Sequence, residues 1–463
     1  MGFSRAMVLL ATQSEGRRTL VKEGLRAGED HASGSIQDSL DLIGRQGRIA
    51  LGSHETAPKT LVQKREASSS LVDPLPHSGA DLLPSFRRAP PSCAASVCIE
   101  RATMSERVPP PHGVMEGKGA YNKHARIQAS GVSLAVPFLE SAARRIIPGP
   151  ADQSIVIVDY GSSQGKNSLT PLRAAIGTMR SFLGPNRPIL VFHVDQPAND
   201  FNTLFEVLES DTDSYALNDT HVFPSAIGRS FYEQVLPCDH VHLGWSSYAA
   251  VWLSRIPVPI PDHFHSSRST GAIRTEFERQ AAGDWEAFLA LRAAELRSGG
   301  RLVVVLPAHN DRGSPGFMNL MDHANAVLAE MVAEGAISIG ERERMILGSY
   351  SRKRSELLAP FARAGHFHGL SVEACEMFAN PDSAWEDFER DGNKEALAAK
   401  HASFFRSTFV PSLATALGPT RSGEELGAFG NRLEVGLKDR LAQQPPAIEL
   451  AVQAIVLAKL PAA

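Results

Sequence analysis

The chain has 463 residues, 43% of them hydrophobic and 21% charged, with a formal net charge of −4. That suits a globular protein of more than one domain. Mild acidity leaves no electrostatic footprint for nucleic acid, and no apolar run is long enough to span a membrane. The four cysteines, Cys93, Cys98, Cys238 and Cys375, contain no C-x-x-C pair. Neither a metal centre nor a disulfide framework is expected from them, and a reducing, cytoplasmic setting fits.

Residues 1 to about 110 are rich in Ser, Gly, Arg and Pro and lack sustained periodicity. They read as a disordered arm, or as sequence upstream of a start at Met104 or Met115. The apolar run near Met7–Ala11 is too short for a signal peptide, and Ala6 stands where a myristoylation motif needs Ser or Thr. From Gly113 the pattern changes. Leu134–Ile147 has helix-period apolar residues and stops before Pro148-Gly149-Pro150. Ser154–Asp159 reads as a strand, Leu169–Leu183 as a helix, Ile189–Val194 as a strand and Phe201–Ser210 as a helix. His240–Leu243 reads as a short strand, followed by a helix-like run, Tyr248–Leu253. Asp284–Arg297 is an amphipathic helix that Gly299-Gly300 would stop, and Arg301–Leu306 is a buried strand. Residues 310–417 read as a mainly helical cap, and Ile448–Leu460 as a late strand pair. The expectation is a doubly wound α/β domain over 113–309 and 418–463, with the cap over the carboxyl ends of its strands.

The most telling stretch is Val156-Ile157-Val158-Asp159-Tyr160-Gly161-Ser162-Ser163-Gln164-Gly165-Lys166-Asn167-Ser168. A buried strand ends in an acid, and a glycine turn leads into a helix, as where a parallel sheet meets its ligand. With only Gly161 and Gly165 there is no G-x-G-x-x-G, so a dinucleotide is poorly served and a nicotinamide oxidoreductase is a distant option. A cationic, amino-acid-bearing ligand such as S-adenosylmethionine suits the turn better.

Further blocks follow in order: Tyr121-Asn122-Lys123-His124-Ala125-Arg126-Ile127-Gln128, Asp195-Gln196-Pro197-Ala198-Asn199-Asp200-Phe201-Asn202, Arg229-Ser230-Phe231-Tyr232, Trp245-Ser246-Ser247-Tyr248 with Trp252-Leu253-Ser254, and Gly299–Val303. Together with the glycine turn, this set resembles the SABATH carboxyl methyltransferases across about 115–460. The chain departs from the family pattern at Ala125 (usually Ser), Gln196 (Leu), Arg229 (Gly) and Trp245 (His). The resemblance implies a Rossmann-like class I methyltransferase sheet with a helical cap, S-adenosylmethionine as cofactor, a small-molecule carboxylic acid as substrate, and a homodimer.

The resemblance also implies roles. Asp159 and Asn167 would bind the amino-acid end of the cofactor, with Gly161 letting it approach and Tyr121 beside it. Asp195 would take the ribose hydroxyls, and Gln196, Ser230 and Phe231 the adenine. Gln128 and Trp252 would each donate an N–H to the substrate carboxylate, within a pocket walled by Trp245, Tyr248 and Val251 and by the cap near Asn310–Met318, Met377 and Phe378. On a helix, Tyr248 and Trp252 would share a face. Plain core packing is the alternative for each aromatic. A carboxylate with a pKa near ~4 is already ionised at neutral pH, so no general base is required. Two other readings stay open: N- or O-methylation on the same fold, and a cofactor-binding homologue without turnover. His366 and His368, two apart on an expected strand, match no familiar metal-ligand spacing and read as a surface or cap pair.

Overall fold

The computed structural model describes residues 113–309 and 315–461. The expected arm over 1–110, and Asn310–Ser314 of the expected pocket, lie outside the described residues.

An eight-stranded sheet organises the chain, with strand order β3-β2-β1-β4-β5-β8-β7-β6. Strands β1 (Ile155–Tyr160), β2 (Ile189–Asp195), β3 (Val222–Gly228), β4 (Val241–Ser247) and β5 (Leu296–Ala308) are parallel. Strand β8 (Ala451–Lys459) runs antiparallel to β5 and to β7 (Leu370–Ala379), and the two-residue β6 (His366–Phe367) closes the far edge. Every residue of β1 is buried, as an uninterrupted apolar run requires at the centre of a sheet covered on both faces. Its side chains alternate between two cores. Ile155 and Ile157 join helix α2 (Arg126–Arg144) and helix α3 (Lys166–Leu183), while Val156 and Val158 join Trp285 and Phe288 of helix α5 (Gly271–Glu295). The sheet order reverses between β1 and β4, so the turns after β1, β2 and β4 meet at one crevice, where open α/β sheets bind their ligands.

Several elements differ from expectation. The 121–128 block lies on a short helix α1 (Ala120–His124) and on the first turn of α2, with Ala125 breaking between them. Tyr248–Leu253 is not a helix. Tyr248 takes a left-handed backbone (φ 56°), Trp252 N–H closes a turn on Ala249 C=O at 3.0 Å, and the chain leaves through Pro257, Pro259 and Pro261. Gly299 and Gly300 lie inside β5, because α5 ends at Glu295. The C-terminal run is a single strand, and its partner β7 falls inside 310–417. Strand β7 is hard to read because it buries only Leu370 and Cys375 and shifts register between Val372 and Ala374. Helix α4 (Phe201–Ser210) forms over the expected residues, capped by Asp200 accepting from Thr203 N–H. Helices α6 (Met318–Ala333), α7 (Ile339–Arg344), α8 (Arg354–Leu358), α9 (Ser383–Asp391) and α10 (Lys394–Ala414) fill the rest of 310–417. The helical layer continues past 417 into α11 (Gly423–Gln443), which packs on α6 and α10.

Candidate active site

Two strand-end turns build the crevice floor. After β1, Gly161 takes φ 89° and donates to Val194 C=O at 2.7 Å. A Cβ at Gly161 would lie 2.0 Å from Ala249 Cβ, so only glycine lets the β1 and β4 turns touch. Ser163, also left-handed (φ 49°), donates its N–H to Asp195 Oδ2 at 2.7 Å. Gln196 N–H takes Asp195 Oδ1 at 2.7 Å, and Asn199 Nδ2 takes Ser163 C=O at 2.7 Å. The β1 and β2 turns are thus locked together around the Asp195 carboxylate. Burial, with a smaller push from the charge of Asp159, lifts this carboxyl to about 6 despite the two N–H groups.

Above this floor opens a cavity of about 980 Å³, counting its mouth. Tyr121, Gln128, Ser163, Ser247 and Tyr248 line it where it meets an adjoining recess, with Asp195 and Gln196 on the floor; Met115, Trp252, Phe317, Phe404, Phe409 and Leu450 supply apolar wall, interrupted by Thr408, Ser349 and Ser351. Asn167 and Ser162 line this recess, which shares Tyr121, Gln128, Gly161 and Tyr248 with the cavity. Buried Gln128 Oε1, Ser162 Oγ, Ser163 Oγ, Ser247 Oγ and Tyr248 OH have no hydrogen-bond partner. An unsatisfied buried polar atom costs about 1–3 kcal/mol. Five around one recess mark a place built for a polar ligand. Burial pushes the Tyr248 phenol up, and the neighbouring Tyr121 adds to this. Burial also raises Tyr121, as does Asp195, while a hydrogen bond with Asn167 lowers it. Both phenols are neutral hydrogen-bond donors at physiological pH.

The other expected site residues fall into two groups. Gln128, only 5% exposed, lies on the first turn of α2, where its amide donates to Thr408 Oγ1 at 3.4 Å. Trp252 lines the same cavity, 6.4 Å from the Phe409 ring, and its C=O accepts from the Tyr232 hydroxyl at 2.7 Å. Val251 and Phe231 also line the cavity, the latter braced edge-on by Phe288. Three residues stand elsewhere. Trp245 is fully buried in the apolar core, because β4 continues to Ser247 and it is Ser247, on the same face, that reaches the cavity. The Ser230 hydroxyl turns the chain by accepting from Tyr232 N–H at 3.1 Å and does not line the cavity. Asp159 sits below the floor, 1% exposed, with Oδ2 3.1 Å from His193 Nδ1, whose Nε2 lies 2.8 Å from the Tyr215 hydroxyl. Sequence reasoning missed His193 and Tyr215. A histidine within the otherwise apolar run Ile189–Val194 was the available signal. It also missed Thr408, Phe404 and Phe409, which look like ordinary helix core.

Of the last expected pocket residues, Met377 is exposed on β7, and Phe378 packs edge-on against Phe138; neither lines the cavity. His366 is exposed on β6 and His368 occupies the left-handed hairpin turn (φ 48°), so they do not share a strand face. No described group of three or more His, Cys, Asp or Glu is placed to hold a metal ion. No described helix is long and apolar enough to cross a membrane.

Residues 112–453 match the family described as SAM dependent carboxyl methyltransferase. Methyltransferase FUS9 of Gibberella fujikuroi is 31% identical over 52% of this chain and 65% of its own length, so the chain spans just under two thirds of that relative. Salicylate carboxymethyltransferase of Clarkia breweri is 27% identical over 60% of this chain and 78% of its own. Among solved structures, loganic acid methyltransferase with SAH superposes with a TM-score of 0.62 at 20% identity, covering 75% of this chain and 99% of that one, which shows the class I methyltransferase fold. The glycine turn, the Asp195 clamp and the cavity with its polar recess thus sit in a chain that belongs to the S-adenosylmethionine-dependent carboxyl methyltransferase family.

Proposed function

We propose that the chain forms methyl esters of a small-molecule carboxylic acid by in-line methyl transfer from S-adenosylmethionine. The observation that carries this is the junction in the cavity: a recess of unpartnered polar groups adjoins a largely apolar chamber, with Gln128 bordering both and Trp252 on the chamber wall. S-adenosylmethionine, when bound, supplies an electrophilic methyl group. The residues present fit it. Asp195 offers a carboxylate to two hydroxyls, Ser162, Ser163 and Asn167 offer polar contacts to an amino-acid end, and Phe231 a ring to pack on. Asp159, held by His193, stiffens the strand end from below.

Among the described residues no Lys, Arg or His lines the main cavity, and the one cation of the adjoining recess, Lys166, is paired with Asp211 and Asp213. The carboxylate is therefore held by neutral donors, the Gln128 amide and the Trp252 indole, which leave its nucleophilicity intact. Thr408 orients Gln128. An acid ionised at neutral pH needs no base, so the work of the site is alignment and water exclusion, worth roughly 7–11 kcal/mol. The chamber walls favour an aromatic or medium-chain apolar acid; relatives are named for salicylate, anthranilate and gibberellic acid. Cytoplasmic residence and a homodimer belong to this reading.

The test is incubation of the full chain with labelled S-adenosylmethionine and a panel of aromatic and aliphatic acids, with ester detection by mass spectrometry. Base-labile methyl esters that fall at least 10-fold with Gln128→Ala and with Trp252→Phe support the proposal. Base-stable methylation of a nitrogen or hydroxyl would shift it to N- or O-transfer. Tight S-adenosylhomocysteine binding with no product from any substrate would favour the homologue without turnover.

A further inference from the structure

A second hollow, of about 790 Å³ with its mouth, lies between α1, the first turn of α2, the start of α9 and the second and third turns of α10. Ile127 and Phe404 line it from one side and the methyl-transfer cavity from the other. Its chemistry is the reverse of that cavity's. Lys123, His124, Arg126, Lys400 and His401 face a single carboxylate, Asp382. That carboxylate is already committed. Its Oδ2 lies 3.0 Å from His401 Nε2, and its Oδ1 caps α9 by accepting from Ala384 and Trp385 N–H. Lys400 is paired with Asp387 at 2.6 Å. Lys123 and Arg126 have no acidic partner among the described residues. His401, with a side chain only 2% exposed, has a buried Nδ1 without a partner.

We infer that this hollow is a carboxylate-binding site beside the methyl-transfer pocket, held by Lys123 and Arg126 and backed by His401. It rests on the reading of the substrate as a carboxylic acid. The physical need is plain. A chain of net charge −4 must attract an anion to a cavity that has no cation in its described lining and an ionisable acid, Asp195, on its floor. Unpaired cations one side chain away raise the local concentration of anions, over a range of about 10 Å at 0.1 M ionic strength. A methyl ester carries no charge, so the same groups give the product no reason to stay.

The test uses crystals of the full chain bound to S-adenosylhomocysteine, with 4-iodobenzoate diffused in and iodine located by anomalous scattering. The expected result is iodobenzoate with its carboxylate against Lys123 and Arg126. It should be lost in Lys123→Glu/Arg126→Glu, a variant that keeps wild-type affinity for S-adenosylhomocysteine, and lost from wild type in 0.5 M KCl. A wild-type hollow without iodine overturns the inference, whether or not the methyl-transfer pocket fills; so does iodine that persists in the charge-reversed variant. Occupancy of the methyl-transfer pocket in the same crystals, and its loss in Gln128→Ala, reports on the proposed reaction separately.

Discussion

If Asp195 takes the ribose as proposed, cofactor affinity becomes a function of pH, with a size that follows from the surroundings of this carboxylate. Both its oxygens already accept a backbone N–H at 2.7 Å, and burial still lifts its carboxyl from 3.8 to about 6. In the proposed complex it also receives ribose hydroxyls, which as donors prefer the charged carboxylate, so binding selects the ionised form. The apparent dissociation constant then scales with the inverse of the ionised fraction. It is about 11-fold weaker at pH 5 than at the alkaline limit, about 2-fold weaker at pH 6 and within about 10% of it at pH 7.5. An ordinary carboxyl would show no change above about pH 5. Stability runs the other way. The folded carboxyl holds its proton up to about pH 6 and the unfolded one only to about 4. The free protein therefore loses stability as pH rises through that window, and ligand hydroxyls offset the strain. Calorimetric titration with S-adenosylhomocysteine from pH 5 to 8 at fixed ionic strength measures the effect. Asp195→Asn should bind at least about 10-fold more weakly at pH 7.5 with a flat profile, because its one remaining acceptor leaves Ser163 or Gln196 N–H unpaired. Constant wild-type affinity from pH 5 to 8, or an unchanged slope in the Asn variant, would refute the reasoning.

Two further outcomes test the floor of the site. Gly161→Ala forces a side chain into a φ of 89° and 2.0 Å from Ala249 Cβ. The backbone term alone costs about 1–2 kcal/mol, so S-adenosylhomocysteine affinity should fall at least about 10-fold. Adding Ala249→Gly should restore part of it, since that relieves the contact but not the backbone. Calorimetry on the pair decides, and wild-type affinity in the single variant would sink the steric account. His193→Phe keeps a ring in place and strands two buried groups, Asp159 and Tyr215, at about 1–3 kcal/mol each. Its melting temperature and cofactor affinity should both drop, and Tyr215→Phe, which strands only His193 Nε2, should do less. Equal melting temperatures for the three proteins would deny the buried chain any structural role.

The cofactor half of the site was legible because a doubly wound sheet puts it where sequence signals are strongest. Gly161 follows directly on β1, Asp195 ends β2, and Asn167 opens the helix after the β1 turn, so the apolar run of each strand announces where to look; Gly161 and Gly165 mark the turn itself. Periodicity failed where a local pattern had two physical solutions. Tyr248 and Trp252 are spaced like neighbours on a helix, yet a left-handed Tyr248 and the prolines beyond make a turn that still delivers both to the cavity. Trp245 looked like pocket wall because Ser246-Ser247 follow it. The length of β4, set by pairing with β1 and β5, buries it instead. Strand β7, with a register shift and only two buried residues, offered neither alternation nor an apolar run.

The substrate half could not be read, for a reason that also says where specificity lies. Its walls come from Met115, Trp252, Phe317, Phe404, Phe409 and Leu450, on five separate stretches of backbone, with only Phe404 and Phe409 sharing one, α10. Apart from Trp252, each alone reads as core, and only tertiary closure reveals that side chains which pack on one another, as Phe409 does on Trp252 and Phe404, also line a cavity. Phe317, just before α6, and Phe404 and Phe409 on α10 lie outside the β1–β2 turns proposed to hold the cofactor, so wall residues can change size while Gly161 and the Asp195 clamp stay fixed. Gln128 ties the halves together. It sits on α2 beside Tyr121, bonds to Thr408 on α10, and borders both the polar recess and the chamber. A shift of α10 therefore moves the Gln128 amide along with the Phe404 and Phe409 walls. If Gln128 aims the carboxylate as proposed, choice of acid and alignment of its oxygen are coupled through that one hydrogen bond.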